Sequence, residues 1–375
     1  MIQRIYQDFE QFLLPGRVLV IYGPRRVGKT TIINAYLKQT KFKYKFDSGD
    51  NIRTRQILSS QDFPTILSYL EGYDLFVIDE AQQIPNIGTG LKIIVDQRPD
   101  IRVIATGSSS FELSNQIGEP LTGRKRTLTL FPVSQIELNF EQNQFELKEH
   151  VPDLLVFGSY PEILTAQTKV QKRELLTELS EAYLLKDILA LEKIKSSKYL
   201  LDLLKLLAFQ IGKEVSYQEL ARQLGLSVKT VQRYLDLLEK AFVVIRVGGF
   251  SRNLRSEVVR KSKYYFYDTG LRNAIISQFN DLTQRSDVGE LWENFLFIER
   301  LKKRSYQSIF ATPYFWRTYE GQEIDLIEEG EGQVRAYEFK WASQKKTRVP
   351  GVFQDAYPHA TFDVIHPENY LNFVL

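Results

Sequence analysis

One nine-residue run constrains this chain more than any other feature: Gly23, Pro24, Arg25, Arg26, Val27, Gly28, Lys29, Thr30, Thr31. A short, β-branched, wholly apolar segment, Val18 to Tyr22, comes before it and reads as a buried strand. The residues after it place Ile32, Ile33, Tyr36 and Leu37 on one helical side. Strand, Gly-x-x-x-x-Gly-Lys-Thr, helix is the context of a phosphate-binding loop. Glycines let the backbone wrap an anion, and successive N–H groups with the helix N-terminus then point at the phosphates. Lys29 is placed to reach the β- and γ-phosphates of ATP or ADP, and the Thr30 hydroxyl to hold Mg²⁺. Arg25 and Arg26 add positive charge inside the loop.

The neighbouring segments supply the rest of a nucleotide site. A helix is expected over Tyr6 to Leu14, and further strands over Phe42 to Phe46, Leu75 to Ile78, Ile101 to Ala105 and Thr127 to Leu130. Five strands alternating with helices predict an α/β fold with a doubly wound parallel sheet that binds nucleotide at the strand carboxyl ends. The third strand delivers Asp79 and Glu80, a Walker B pattern: Asp79 to bind Mg²⁺ through water, Glu80 to orient or deprotonate the attacking water. The fourth ends in a polar run where Ser108, with Thr106 as the alternate, would sense the γ-phosphate; the same serines would equally cap a helix. Arg124, on a glycine-containing loop, reads either as a finger reaching a neighbouring subunit's nucleotide or as a solvated basic residue. The finger reading implies a homo-oligomer such as a ring.

At 375 residues the chain exceeds one ordinary core. Changes of pattern divide it into 1–135 (ATPase core), 136–205 (helical lid or connector), 206–275 (winged helix) and 276–375. A net charge of +3 demands no nucleic-acid partner, so any such surface must be local. The absence of cysteine excludes disulfides and thiolate metal sites, and His150, His359 and His366 stand too far apart for a zinc pattern. Neither a signal peptide nor a membrane-length apolar run is visible, so a cytoplasmic protein without a membrane partner is expected.

Glu214 to Val244 has the pattern of a helix-turn-helix: Tyr217 to Gln223, a turn at Leu224-Gly225-Leu226, then a second helix capped by Ser227 and running to Lys240. Val231, Leu235 and Leu238 would face the core, leaving Lys229, Thr230, Gln232 and Arg233 where a recognition helix contacts DNA. Strands Val243 to Val247 and Tyr264 to Tyr267 would form a wing, with Arg252, Arg255, Arg260, Lys261 and Lys263 between and beside them for phosphate contact. Winged helices also dock proteins, so the pattern alone leaves both partners open.

The last hundred residues carry a second constellation. A helix from Gly289 bears Glu290, Glu293 and Glu299; a strand over Tyr314 to Tyr319 returns through a strand containing Asp325; and a third strand places Glu338 and Lys340 on one face. Two strand carboxylates, a lysine and a helix glutamate form the oxygen-rich set that Mg²⁺ or Mn²⁺ takes. Asp325 and Glu338 are the expected metal ligands, and Lys340 would stabilise charge on a phosphate. The plainer reading is charged residues alternating on an exposed sheet face.

Taken together, GPRRVGKTT, VIDEAQ, ATGSSS, LTGRKRTLTLFPVS and YDTGL resemble the prokaryotic AAA+-related P-loop ATPases with a C-terminal DUF4143 region. The resemblance covers nearly the whole chain. It implies an ATPase core, a helical lid, a winged helix and a restriction-endonuclease-like α/β domain similar to PD-(D/E)xK nucleases. On that pattern Glu293 matches the helix acid, with Glu290 competing, and Asp325, Glu338 and Lys340 match the metal-site residues. The spacing also resembles archaeal Holliday-junction resolvases, which implies branched DNA as a partner.

Overall fold

The computed structural model describes residues 2–107, 118, 120–191, 197–251, 262–318, 320–342 and 347–375. The chain divides into two compact units, one of residues 4–131 with 240–242, the other of residues 1–3, 132–239 and 243–375.

The first unit is built on five parallel strands: β1 (Val18–Tyr22), β2 (Tyr44–Ser48), β3 (Leu75–Asp79), β4 (Arg102–Gly107) and β5 (Lys125–Thr129), in the order β2-β3-β4-β1-β5. The doubly wound parallel sheet is therefore present. β1 and β3 are buried along their whole length, as strands covered on both faces by crossover helices must be. β1 sits between β4 and β5 with Val20 opposite both Ala105 and Thr127, so the phosphate loop leaves from the middle of the sheet.

The expected helix over Tyr6 to Leu14 is not formed; only a single tight turn, Glu10–Phe12, is helical. Tyr6, Phe9 and Leu13 are nevertheless buried, and Arg4 is drawn inward to donate to the carbonyls of Val27 and Phe131. Anchoring at these points replaces a regular helix with an irregular strap.

The second unit runs one sheet through regions that the sequence separates. Its strands are β6 (Glu214–Val215), β7 (Val244–Gly249), β8 (Ser262–Phe266), β9 (Thr312–Arg317), β10 (Glu323–Gly330), β11 (Gln333–Phe339) and β12 (Thr361–Ile365), in the order β12-β11-β10-β9-β7-β8-β6. β7 pairs parallel with β9, Gly248 opposite Tyr314, so the wing hairpin and the C-terminal domain are halves of one seven-stranded sheet. The expected division at 275/276 falls inside this continuous sheet.

Two chain segments lock together beneath it. Gly158, at φ 72°, and Gly270 are both pressed against a neighbour: a Cβ on Gly158 would lie 2.0 Å from Asp268 Oδ1, and one on Gly270 would lie 2.0 Å from the Phe157 carbonyl oxygen. Asp268 accepts from the Ser159 and Leu271 backbone N–H groups at 2.7 and 2.9 Å. YDTGL and Gly158 are therefore parts of one packing joint.

Candidate nucleotide site and carboxylate cluster

The phosphate loop is shaped by its own backbone. Gly23 takes φ 151° where a Cβ would meet the Leu130 carbonyl oxygen at 2.0 Å, and Gly28 takes φ 94° as the N-cap of the helix Lys29–Leu37. Arg26 enters the left-handed region at φ 58°, Arg25 is partly buried, and Val27 is fully buried beneath the loop. Lys29 is buried, its ammonium donating to the carbonyls of Gly23 at 2.9 Å and Pro24 at 2.7 Å. Thr30 and Thr31 are exposed on the first turn of the helix. The Arg4 contact to Val27 braces the loop from behind, a role no sequence pattern signals.

Walker B side chains meet the loop as expected. Thr30 Oγ1 donates to Asp79 Oδ2 at 2.7 Å, and Thr106 Oγ1 donates to Asp79 Oδ1. The Glu80 N–H points at both Asp79 Oδ1 (3.1 Å) and Thr106 Oγ1 (3.2 Å). Glu80 itself is held at φ 49° with its carboxylate hydrogen-bonded to Gln82, a strained conformation typical of functional positions. Of the two sensor candidates, Thr106 is fixed beside Asp79, whereas Ser108 lies outside the described residues. The adjoining hydroxyl and carboxylate oxygens of Thr30 and Asp79 are the donor type that Mg²⁺ takes, so the residues fit the ion. Arg124 is 43% exposed and pairs with Asp96 at 2.5 Å.

In the second unit, Ser227 caps the helix Val228–Lys240 by accepting from the Thr230 N–H at 3.1 Å. Val231, Leu235 and Leu238 are buried, while Lys229, Gln232 and Arg233 are exposed. Thr230 is only partly exposed, and its hydroxyl is engaged with Ser227. Arg252, Arg255, Arg260 and Lys261 lie outside the described residues.

Lys263 corrects the sequence reading. Expected as a phosphate-contacting wing residue, it is 1% exposed and points into the protein. Strand alternation explains the reversal: Lys263 and Tyr265 share the face of β8 that packs on the helix Val288–Tyr306. There Lys263 Nζ pairs with Glu293 at 2.9 Å and Glu323 at 2.5 Å, and the Tyr265 hydroxyl donates to Glu293 at 2.6 Å.

Of these, Glu293 belongs to the expected C-terminal constellation, whose other members Asp325 and Glu338 stand on β10 and β11, with Lys340 directly after β11. β10 and β11 pair with Leu326 opposite Tyr337, so the Phe339 N–H donates to Asp325 Oδ2 at 2.7 Å. Lys340 pairs with Glu338 at 2.5 Å, and Glu338 Oε2 is buried with no hydrogen-bond partner. Glu293, not Glu290, is the helix acid of the cluster; Glu290 instead lines a polar cavity with Arg272, Arg285 and Asp287. Burial and the neighbouring Asp325 push Glu293 up to about 7. Burial and Glu338 do the same to Asp325, also to about 7. Burial alone would lower Lys263, but Glu293, Asp325 and Glu323 together hold it well above the usual lysine value. Among the described residues no three carboxylate or imidazole groups converge so as to hold a metal ion. Lys263 was invisible to spacing because it reaches the cluster from β8, whereas Glu323 stands two residues before Asp325 on β10, where strand alternation could have found it.

The models of three families match the chain: an AAA domain over residues 15–139, a domain of unknown function, DUF8612, over 148–282, and DUF4143 over 288–370. The chain thus carries an AAA domain of the P-loop type and a C-terminal DUF4143 region. Relatives of this chain include an uncharacterized protein of Mycobacterium tuberculosis, 28% identical over 331 residues (87% of this chain, 70% of the relative). Another, from Methanocaldococcus jannaschii, is 26% identical over 349 residues (88% and 76%). Among solved structures, a STAND-class signal-transduction ATPase with a tetratricopeptide repeat sensor from Pyrococcus horikoshii aligns at TM-score 0.29 and 14% identity, covering 77% of this chain and 44% of that one. AMPPCP-bound DnaA from Aquifex aeolicus aligns at TM-score 0.26 and 15% identity, covering 63% and 85%. At such scores neither alignment adds to what the sheet and the loop establish. Among the described residues no helix is long and apolar enough to cross a membrane.

Proposed function

We propose that this chain is a cytoplasmic, Mg²⁺-dependent ATPase that couples hydrolysis to binding and remodelling or translocating DNA, branched junctions included. The hydrolytic half is supported by the joined set Lys29, Thr30, Asp79, Glu80 and Thr106. Lys29 cradles the β- and γ-phosphates with the loop N–H groups, and Glu80 orients the attacking water. Thr30 directly and Asp79 through water would hold Mg²⁺, which when bound would supply neutralising charge to the phosphates. Arg124, released from Asp96, acts as the finger toward a neighbouring subunit in a homo-oligomer; in the unassembled chain Asp96 holds it in reserve.

The observation that carries the DNA half is the exposure of Lys229, Gln232 and Arg233 on the helix Val228–Lys240, together with Arg222 and Gln223 on the preceding helix. Two basic side chains and one amide at the start of a second helix, with a further arginine and amide exposed on the helix before it, are what phosphate and base-edge contacts require. The decisive measurement is ATP turnover with and without duplex or four-way-junction DNA, together with DNA affinity against salt. Stimulation, and an affinity falling steeply with salt, are expected. Slow turnover indifferent to DNA, with no binding at low salt, refutes the DNA reading and favours a nucleotide-operated switch whose winged helix docks a protein.

A further inference from the structure

The carboxylate cluster of the C-terminal domain carries its own cation. Four acids, Glu293, Glu323, Asp325 and Glu338, arrive from the helix Val288–Tyr306, β10 and β11. One oxygen of each is engaged: Lys263 and Tyr265 both bond Glu293 Oε1, Lys263 pairs with Glu323 Oε1, the Phe339 N–H bonds Asp325 Oδ2, and Lys340 pairs with Glu338 Oε1. A divalent ion of the Mg²⁺ class needs several oxygens converging on it at close to 2 Å. The described residues offer no such convergence, and the orphan acceptor, Glu338 Oε2, is a single atom. The residues present therefore do not fit the metal that the nuclease resemblance implies.

Lys263 explains why. Its ammonium is almost completely buried and ion-paired on two sides, so it supplies from within the protein the positive charge the acids would otherwise take from solution. It comes from β8, a strand of the wing hairpin, rather than from the domain that owns the acids. We propose that Lys263 replaces the divalent metal of the nuclease-like site, making the cluster a metal-free ionic lock that ties the wing strand to the C-terminal domain. The cluster then cuts no phosphodiester bond. The inference stands independently of whether the exposed helix face binds DNA.

The test is Mn²⁺ titration of the nucleotide-free, full-length protein, followed by electron paramagnetic resonance of the free ion. The native protein and its Asp325→Asn variant are expected to bind Mn²⁺ alike, showing no stoichiometric site that depends on Asp325. Lys263→Ala is expected to gain about one equivalent of tightly bound Mn²⁺, as one charge-deficient oxygen cluster would, and the Lys263→Ala, Asp325→Asn double variant to lose it again. A native site abolished by Asp325→Asn overturns the proposal. So does a folded Lys263→Ala protein that gains no site, since geometry rather than the lysine would then exclude the ion. Should Lys263→Ala fail to fold, the native and Asp325→Asn comparison decides alone.

Discussion

Both the phosphate loop and the carboxylate cluster hold a buried lysine against oxygen acceptors, but they recruit it differently. Lys29 bonds carbonyls only five and six residues upstream, in a loop whose shape is set by glycine backbone angles. Lys263 bonds carboxylates 30 and 60 residues away (293 − 263 and 323 − 263), delivered by another helix and another strand. The carbonyls to which the first lysine donates are neutral, so exchanging them for a phosphate uncovers no carboxylate. The second neutralises buried charge and cannot leave without exposing it. A lysine beside oxygens is thus a ligand grip in one unit and a structural fastening in the other.

The largest effects should separate these two roles. Lys29→Ala and Glu80→Gln are each expected to lower ATP turnover by about 10³-fold, through lost charge stabilisation and lost water activation respectively. Circular dichroism should show both still folded, and Glu80→Gln should still bind nucleotide in a fluorescence titration. Lys263→Ala should behave oppositely: leaving Glu293 and Glu323 without their cation costs about 3 kcal/mol of stability, read as a lowered denaturant midpoint. A Lys263→Ala protein of native stability would break the comparison.

This contrast also explains what was legible in advance. The phosphate loop, Asp79 and Glu80 were readable because the chemistry sits in contiguous residues flanked by an obvious strand and helix. Asp325, Glu338 and Lys340 were readable as a set for the same reason, since strand alternation places them without reference to the rest of the chain. The occupant of that set was not. A basic run beside a wing looks solvated, and only the pairing of β7 with β8 and β9 shows that Lys263 turns inward. Arg4 failed in the same way: its partners, Val27 and Phe131, are distant in sequence and offer only carbonyls, which no side-chain pattern reveals.

The glycine joint tests the same distinction between local and long-range demands at a smaller scale. Gly270→Ala would place a methyl against the Phe157 carbonyl and is expected to cost about 2 kcal/mol by overpacking. At Gly225, which unlike Gly270 is at positive φ but has open space around its Cβ position, alanine should cost less, about 1 kcal/mol of backbone strain. Equal losses in thermal unfolding would show that conformation rather than contact dominates.

Acidity reports on the lock directly. Glu293 and Asp325 sit at about 7 in the folded protein against ordinary values of 4.5 and 3.8. The folded state therefore keeps protons that the unfolded chain has released, and stability from these groups is full below the ordinary carboxylate range and lost as pH rises through about 7. Asp287 runs the other way: despite burial, Arg285 and Arg272 pull it down to about 2, so its contribution is lost only as pH falls through that value. Denaturant unfolding should show stability declining between about pH 4 and about pH 7, flattened in Glu293→Gln, whose amide does not titrate.

The smallest effects are expected on the exposed face of the helix Val228–Lys240. Lys229 and Arg233 are solvated, and neither charge is needed by the core formed by Val231, Leu235 and Leu238. Lys229→Ala should change stability by less than about 0.5 kcal/mol while weakening DNA binding uniformly across sequences and lowering the salt slope by about 1. Arg233→Ala should act similarly if it meets a phosphate, and should also relax sequence preference if it meets a base edge. Lys263 is the internal control, because a buried lysine ion-paired to two glutamates has no charge to offer DNA. Its removal should leave the salt slope of any folded fraction unchanged, and a slope that fell would return Lys263 to the DNA-contacting face.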